Sequence, residues 1–409
     1  MAGGGGKAAA CRAVDAAAGD LVALSDWMFA HPELGLREVQ AAERLTALLE
    51  RAGAGVERGI AGLPTAFRAT IAGRRTRPTV AIIAEYDALP EVGHGCGHNI
   101  IATAAIGAGI GLADLGEALP GTVVVLGCPA EESAVPGAGG KIYLLDAGYF
   151  DDVDAAIMVH PMTENRIGTA SSLVAYGLDF EFFGRAAHAA AAPHEGVNAL
   201  DAVIQTFNGV GALRQQVKPD VRIHGVITHG GGAPNVIPPY AAARFRVRAA
   251  DPADAEDVVG RVVRCAEAGA LATGARLEWK HYIRPYLNML PNRAIGGAFA
   301  RNLRALGLHV ADDEEAGGSG STDFGNVSHR VPAVEAYLRI CGPEAGWHSR
   351  AVAEATVTAA GHDAIVAGAK GLAMTALDLL GDGRLLEAAR REHAAVATTS
   401  GAAGLVRGD

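Results

Sequence analysis

Three short apolar runs, "TVAIIA" at 79–84, "TVVVLGC" at 122–128 and "AAIMVHP" at 155–161, constrain the fold of this chain more than any other feature. Each is short, lacks polar alternation and is rich in β-branched residues, so each reads as a strand covered on both faces. Between them lie "NIIATAAIGAGIGLADLG", with Asn99 expected as its N-cap, and "KIYLLDAGYF", both helical in character. That alternation specifies an α/β fold, a mainly parallel sheet covered by helices. Ligands of such sheets collect where the carboxyl ends of the strands run out. Here they run out into "EYDALPEVGHGCGHN", "PAEE" and "VHP", which bring acids, histidines and a cysteine to one edge.

After residue 170 the order changes to β-α-β-β-α-β, from "SSLVAYGLDFEFFGRAAHA" through "ARLEWKHYI". This is the order of a ferredoxin-like split unit. Residues 171–286 are therefore expected to form a small inserted domain, with 1–170 and 287–409 building the larger one. A chain of 409 residues exceeds what one core ordinarily holds. Beyond the insertion come the helix "NRAIGGAFARNLRALG", the glycine-rich "AGGSGSTDFGN", the strand "AVEAYLRI", the loop "CGPEAGWHS" and a long helix from about Glu354. Ahead of the insertion, residues 19–54 read as two helices, and the Gly- and Ala-rich start before them is expected to fray.

Partners follow from charge and cysteine usage. A net charge of −10 with no basic cluster argues against nucleic acid. No run of about 18 strongly apolar residues is read, so no membrane span is expected. Five scattered cysteines do not form a disulfide framework, and no signal peptide is read, so a cytoplasmic location is expected.

The edge residues carry the chemistry. Cys96 and His98, two apart in what reads as an extended loop, can reach one point, and thiolate with imidazole suits zinc, manganese or cobalt. Read alone, the pair is equally a buried cysteine beside a surface histidine. Glu131 and Glu132 are adjacent at a strand end, so one can ligate while the other moves a proton. Convergence of Cys96, His98, Glu132 and His160 on one edge favours a metal site. Other motifs carry less. "GAGGKI" lacks the spacing of a phosphate loop, and no Gly-x-Ser-x-Gly elbow is present. "GSGSTD", with Gly320 and Ser321 as substrate-binding candidates, reads as an anion nest or as a flexible loop.

From about His31 to about Thr356, "EYDALP…GHGCGHN", "PAEE…GGK", "VHP", "GRAAHAAAAPHEGVNALDA", "GGAPNVIP", "FRVRAAD", "GSGSTDFG" and "WHS" follow one another in an order that resembles the metal-dependent amidohydrolases and metallopeptidases. That family includes aminoacylases, hippurate hydrolases, auxin-conjugate hydrolases and bacterial carboxypeptidases. The forms "GHGCGHN" and "PNVIP" are most similar to the branch of aminobenzoyl-glutamate hydrolase and β-alanyl-lysine type dipeptidases. The resemblance implies one or two divalent ions (Zn, Mn or Co) on Cys96, His98, Glu132, His160 and His348, with Glu131 as general base. It implies that Asp87 orients a ligand histidine, that Asn235 and Arg248 hold the substrate's carboxylate end, and that His188 reaches the site of a neighbouring subunit to stabilise the oxyanion. The related "CGHDxH" pattern is replaced here by Cys96-Gly97-His98-Asn99-Ile100-Ile101, so its Asp and second His have no counterpart.

The expected activity is hydrolysis of an amide bond in a small N-acyl amino acid, dipeptide or aminobenzoyl-glutamate-like substrate, by a homodimer joined through the inserted domain. Two alternatives are an aryl-amine or amidine hydrolase on the same scaffold and a non-catalytic metal binder. A binder has no need for Glu131 beside Glu132.

Overall fold

A computed structural model describes residues 3–168, 171–311 and 320–397. The first elements are α1 (Gly3–Ala30), α2 (Val39–Arg51), β1 (Gly55–Arg58), β2 (Phe67–Ile71), β3 (Thr79–Glu85), α3 (His98–Ala113), β4 (Thr122–Cys128), α4 (Gly140–Asp146), β5 (Ala155–Met162) and β6 (Arg166–Ile167). Next come β7 (Val174–Phe183), α5 (Ala199–Leu213), β8 (Arg222–His229), β9 (Tyr240–Ala249), α6 (Pro252–Thr273) and β10 (Arg276–Tyr286). The chain ends in α7 (Arg293–Ala305), α8 (Phe324–Arg330), β11 (Ala333–Arg339), α9 (Arg350–Ala355), α10 (Ala359–Gly381) and α11 (Gly383–Ala397).

Two sheets result. The larger has seven strands in the order β1-β2-β4-β3-β5-β11-β6, in which β4, β3, β5 and β11 pair in parallel, β2 and β6 run against them, and β1 pairs antiparallel with β2. Every residue of β3 is buried, as its unbroken apolar run requires. The smaller sheet is antiparallel, in the order β10-β7-β9-β8, and its core with α5 and α6 is separate from that of the large sheet.

Four local expectations are corrected. The start of the chain does not fray at residues 3–18. α1 begins at Gly3, because Ala10 and Val14 lie against α3 so closely that a Cβ on Gly111 would meet both. Asn99 is not an N-cap. Gly97, at φ 79°, precedes α3, while Asn99 Nδ2 donates to Ser25 Oγ and Thr356 Oγ1, both at 3.0 Å, and ties α1 and the α9 end to α3. The helix expected from Glu354 is broken after Ala355, and Thr358 caps the N-terminus of α10. Finally, α10, at 23 residues, is long and apolar enough to cross a membrane, where no such run was expected. Two-thirds of its most apolar window is buried in the fold (67%), with residues such as Ile365, Leu372 and Leu379 in the large-sheet core.

Candidate metal centre and active site

Parallel pairing sets β3, β4, β5 and β11 with their carboxyl ends at one rim: Glu85 pairs with Cys128, and Tyr337 with His160. What leaves each strand is then held by tight backbone. After β4, Ala130 takes a left-handed φ of 56°, anchored by its N–H on Glu38 Oε1 at 2.9 Å, and this turn delivers Glu131 and Glu132. After β11, His348 itself adopts φ 60°. Such strained non-glycine residues cluster at functional sites. Cys96 and His98 are not on an extended loop, as spacing suggested. Cys96 lies before the left-handed Gly97, His98 opens α3, and the turn aims both at one point. A side chain at Gly97 would run into Pro161.

The side chains meet as a result. Cys96 Sγ is 3.5 Å from His160 Nε2, His348 Nε2 is 3.5 Å from Glu132 Oε1, and His98 Nε2 lies 3.9 Å from Glu131 and 4.0 Å from Glu132. Three overlapping sets (Cys96, His98, His160; Cys96, Glu132, His348; His98, Glu131, Glu132) each hold ligand atoms within 4.8 Å of one another. His98 Nδ1 is 2.9 Å from Asp87 Oδ1, whose other oxygen accepts the Glu132 N–H at 3.0 Å. His160 Nδ1 is 2.7 Å from the Pro161 carbonyl, so that bond places its proton on Nδ1 and leaves Nε2 with a lone pair. His98 Nε2 and Glu132 Oε1 are buried without any hydrogen-bond partner. Buried polar atoms are rarely left so. A divalent cation fits here: the donors are thiol, imidazole and carboxylate, and the orphaned atoms are of ligand type.

Beside the cluster is a cavity of about 480 Å³, lined by Cys96, Glu131, Glu132, His160 and His348 and also by Arg246, Arg248, Tyr286, Gly320 and Ser321. Its volume suits a small ligand.

Residues 81–378 match the family model of peptidase family M20/M25/M40, which is most of the chain. The chain belongs to that family. An Xaa-Arg dipeptidase from Mus musculus is 39% identical, over 94% of this chain and 91% of its own length. A p-aminobenzoyl-glutamate hydrolase subunit of Escherichia coli (strain K12) is 29% identical over 92% of each. In fold, the chain is similar to a dinuclear metal binding peptidase of Bacillus subtilis, with a TM-score of 0.63 at 24% identity, covering 90% of this chain and 99% of that one. M20 membership makes the chain a hydrolase acting on peptide or amide bonds.

Within this M20 site the sequence reading left Lys141, Glu85 and Asp323 without a role. Lys141 is fully buried, its Nζ 2.6 Å from Glu85 Oε1 and also paired with Asp323, whose Oδ2 accepts the Lys141 N–H at 2.9 Å. Burial opposes the lysine's charge, but Asp323 and Glu85 outweigh it and raise its pKa well above the usual value. Burial, then Glu85 and Glu132, push the Glu131 carboxyl well above its ordinary range. Burial lowers His160 to about 4, which keeps it in the neutral, ligating form. Arg246 was also missed, although it stands two residues from Arg248 on the same face of β9, and its guanidinium reaches Ser133 Oγ.

The remaining candidates divide. Gly320 and Ser321 line the cavity, while Gly318 and Ser319 of "GSGSTD" lie outside the described residues. His188 and Asn235 are exposed and do not line the cavity. They neighbour each other instead: His188 bridges Val236, and the Ala189 N–H donates to the Asn235 carbonyl at 3.1 Å.

Proposed function

We propose that this M20 chain hydrolyses the amide bond of a dipeptide or N-acyl amino acid whose amine half bears a free carboxylate, with Cys96, His98, Glu132, His160 and His348 holding one or two ions of zinc, manganese or cobalt. The observation that carries this reading is the pair of buried, partnerless ligand atoms, His98 Nε2 and Glu132 Oε1, only 4.0 Å apart. When bound, such an ion acidifies water and polarises a carbonyl. Everything else is done by side chains. Asp87 fixes the His98 ring with Nε2 turned to the cluster, as the partners of ligand histidines generally do. Glu131, the carboxylate beside the ligand Glu132, takes the proton of the attacking water and returns it to the leaving amine. Arg248 and Ser321 have Nε and Oγ atoms buried without partners, which supports a carboxylate there, since an arginine fork matches one in geometry.

His188 and Asn235 are assigned to the cavity of a second copy, in a two-fold dimer joined through the smaller sheet. His188 Nδ1 accepts the N–H groups of Ala190 and Ala191 at 3.3 and 3.2 Å, so its proton is on Nε2. An outward N–H is what a developing oxyanion needs. The names of the relatives, a dipeptidase and an aminobenzoyl-glutamate hydrolase, support a substrate ending in an amino acid.

The test is amine release from a panel of N-acetyl amino acids, dipeptides, β-alanyl dipeptides, aminobenzoyl-glutamate and aryl amides, before and after chelation. Turnover should vanish with the metal and return with it, and Cys96 should become open to alkylation only when stripped. Full turnover by metal-free protein overturns the reading.

A further inference from the structure

The cavity carries charge on more than one wall. From β9 come Arg246 and Arg248; from β11 come Glu335 and Tyr337, with Arg166 of β6 beside them. Tyr337 pairs with His160 across the sheet, and Glu335 is two residues back on the same face, about 7 Å along the strand from the level of that histidine. It is a short step from the reacting centre.

Glu335 is 5% exposed and its Oε2 accepts the Tyr337 hydroxyl at 2.9 Å. Among the described residues it makes no ion pair, whereas Glu85, Asp87 and Asp323 each have a basic partner. Arg166 does not fill that role. Its guanidinium stands 5.0 Å from the centre of the Tyr337 ring, and its Nε, which makes no hydrogen bond, is paired with Glu164 at 3.8 Å. Burial first, and then the charge of Glu85, push the Glu335 carboxyl up to about 7, although Lys141 and Arg166 act in the opposite sense. The positive charge of the protein therefore leaves this carboxylate undercompensated. A buried acid in a substrate cavity, in contact with the Tyr337 hydroxyl and sharing its walls with the Tyr337 and Trp347 rings, is completed best by a cation.

The geometry points to Glu335 as a specificity-determining residue that receives an ammonium or guanidinium group of the substrate on the β11 wall, an assignment that rests on reading this cavity as the amide-hydrolysis site. A dipeptide or acyl amino acid with a cationic group then meets arginines at its carboxylate and Glu335 at its cation.

Four substrates in a two-by-two design test this: glycyl-lysine, glycyl-norleucine, N-acetyl-lysine and N-acetyl-norleucine, with glycyl-glutamate as the reversed charge. Each pair differs by one ammonium, in the amine half or the acyl half. In the wild type, kcat/KM should favour the cationic member of one pair by at least about tenfold, the usual value of a charged hydrogen bond. Glu335→Gln should bring that ratio near one, and Glu335→Asp should restore part of it. A purely structural Glu335 lowers all substrates together and leaves the ratio intact, which overturns the assignment. So does a wild type without cation preference, or one preferring glycyl-glutamate, where Arg166 governs instead; neither outcome depends on a variant folding. If the wild type cleaves none of these, the proposed function fails separately. Calorimetric binding of L-lysine against L-norleucine, and of glycinamide against acetamide, by wild type and Glu335→Gln then decides the role of Glu335. A cation preference lost in the variant supports it, and equal binding overturns it.

Discussion

The rim of the large sheet and the His188–Asn235 turn of the smaller domain both hold residues of catalytic type, yet they are built in opposite ways. At the rim, charged groups are buried and locked: Asp87 on His98, Lys141 between Glu85 and Asp323. At the turn, His188 and Asn235 are exposed and held only by local backbone. Next to it, β8 is an edge strand that leaves Val226 59% and Ile227 47% exposed. An apolar unpaired edge invites another chain. The contrast teaches that the rim residues are already assembled within one chain, whereas the turn lies exposed and lines no part of its own chain's cavity.

The largest effect expected is at the rim. Glu131→Gln keeps volume and removes the proton acceptor, so kcat should fall at least about 100-fold while metal content per chain is unchanged. Steady-state turnover with metal analysis checks this; a metal-replete variant of normal activity breaks the assignment. Next comes a stability contrast between the two regions. Lys141→Met leaves Glu85 and Asp323 buried without their cation, and breaking such a pair costs about 3–5 kcal/mol. Lys218→Met removes an exposed pair with Asp254 in the smaller domain and should leave the denaturation midpoint where it was. Equal midpoints for the two variants would erase the distinction between a locked rim and a solvated domain.

What could be seen in the sequence tracks range of interaction. The β3, β4 and β5 strands were legible because their apolar runs are continuous, and the rim residues because they follow those runs directly. β1 was not, since "GVER" is mostly exposed and owes its strand state to pairing with β2. Lys141 read as the first residue of a helix: its partner Asp323 is 182 residues away, and a buried lysine looks like any other until that partner is placed. His348 was reached by resemblance alone, because a loop histidine at φ 60° follows no strand directly. Glu335 was passed over as a strand residue. Its alternation with Tyr337 toward a cavity appears only when β6 and β9 supply the remaining walls.

The smallest signal tests the turn, and it decides whether the two regions work on one site. His188→Ala should lower kcat about 100-fold, as loss of an oxyanion donor does, without shifting the melting temperature, because the ring is exposed. By itself this does not say which subunit's cavity the histidine serves. Mixing His188→Ala chains with Glu131→Gln chains does. If each histidine serves its partner, a mixed dimer has one cavity with both residues intact and one with neither. Random exchange makes about half the dimers mixed, so activity per site should recover to about a quarter of wild type when the sites are independent. A histidine acting within its own chain gives no recovery, since every cavity then lacks one residue or the other. With exchange verified by tagged chains, an activity no higher than the mean of the two parents would return His188 to its own subunit and leave the exposed turn without a catalytic reason to meet a second copy.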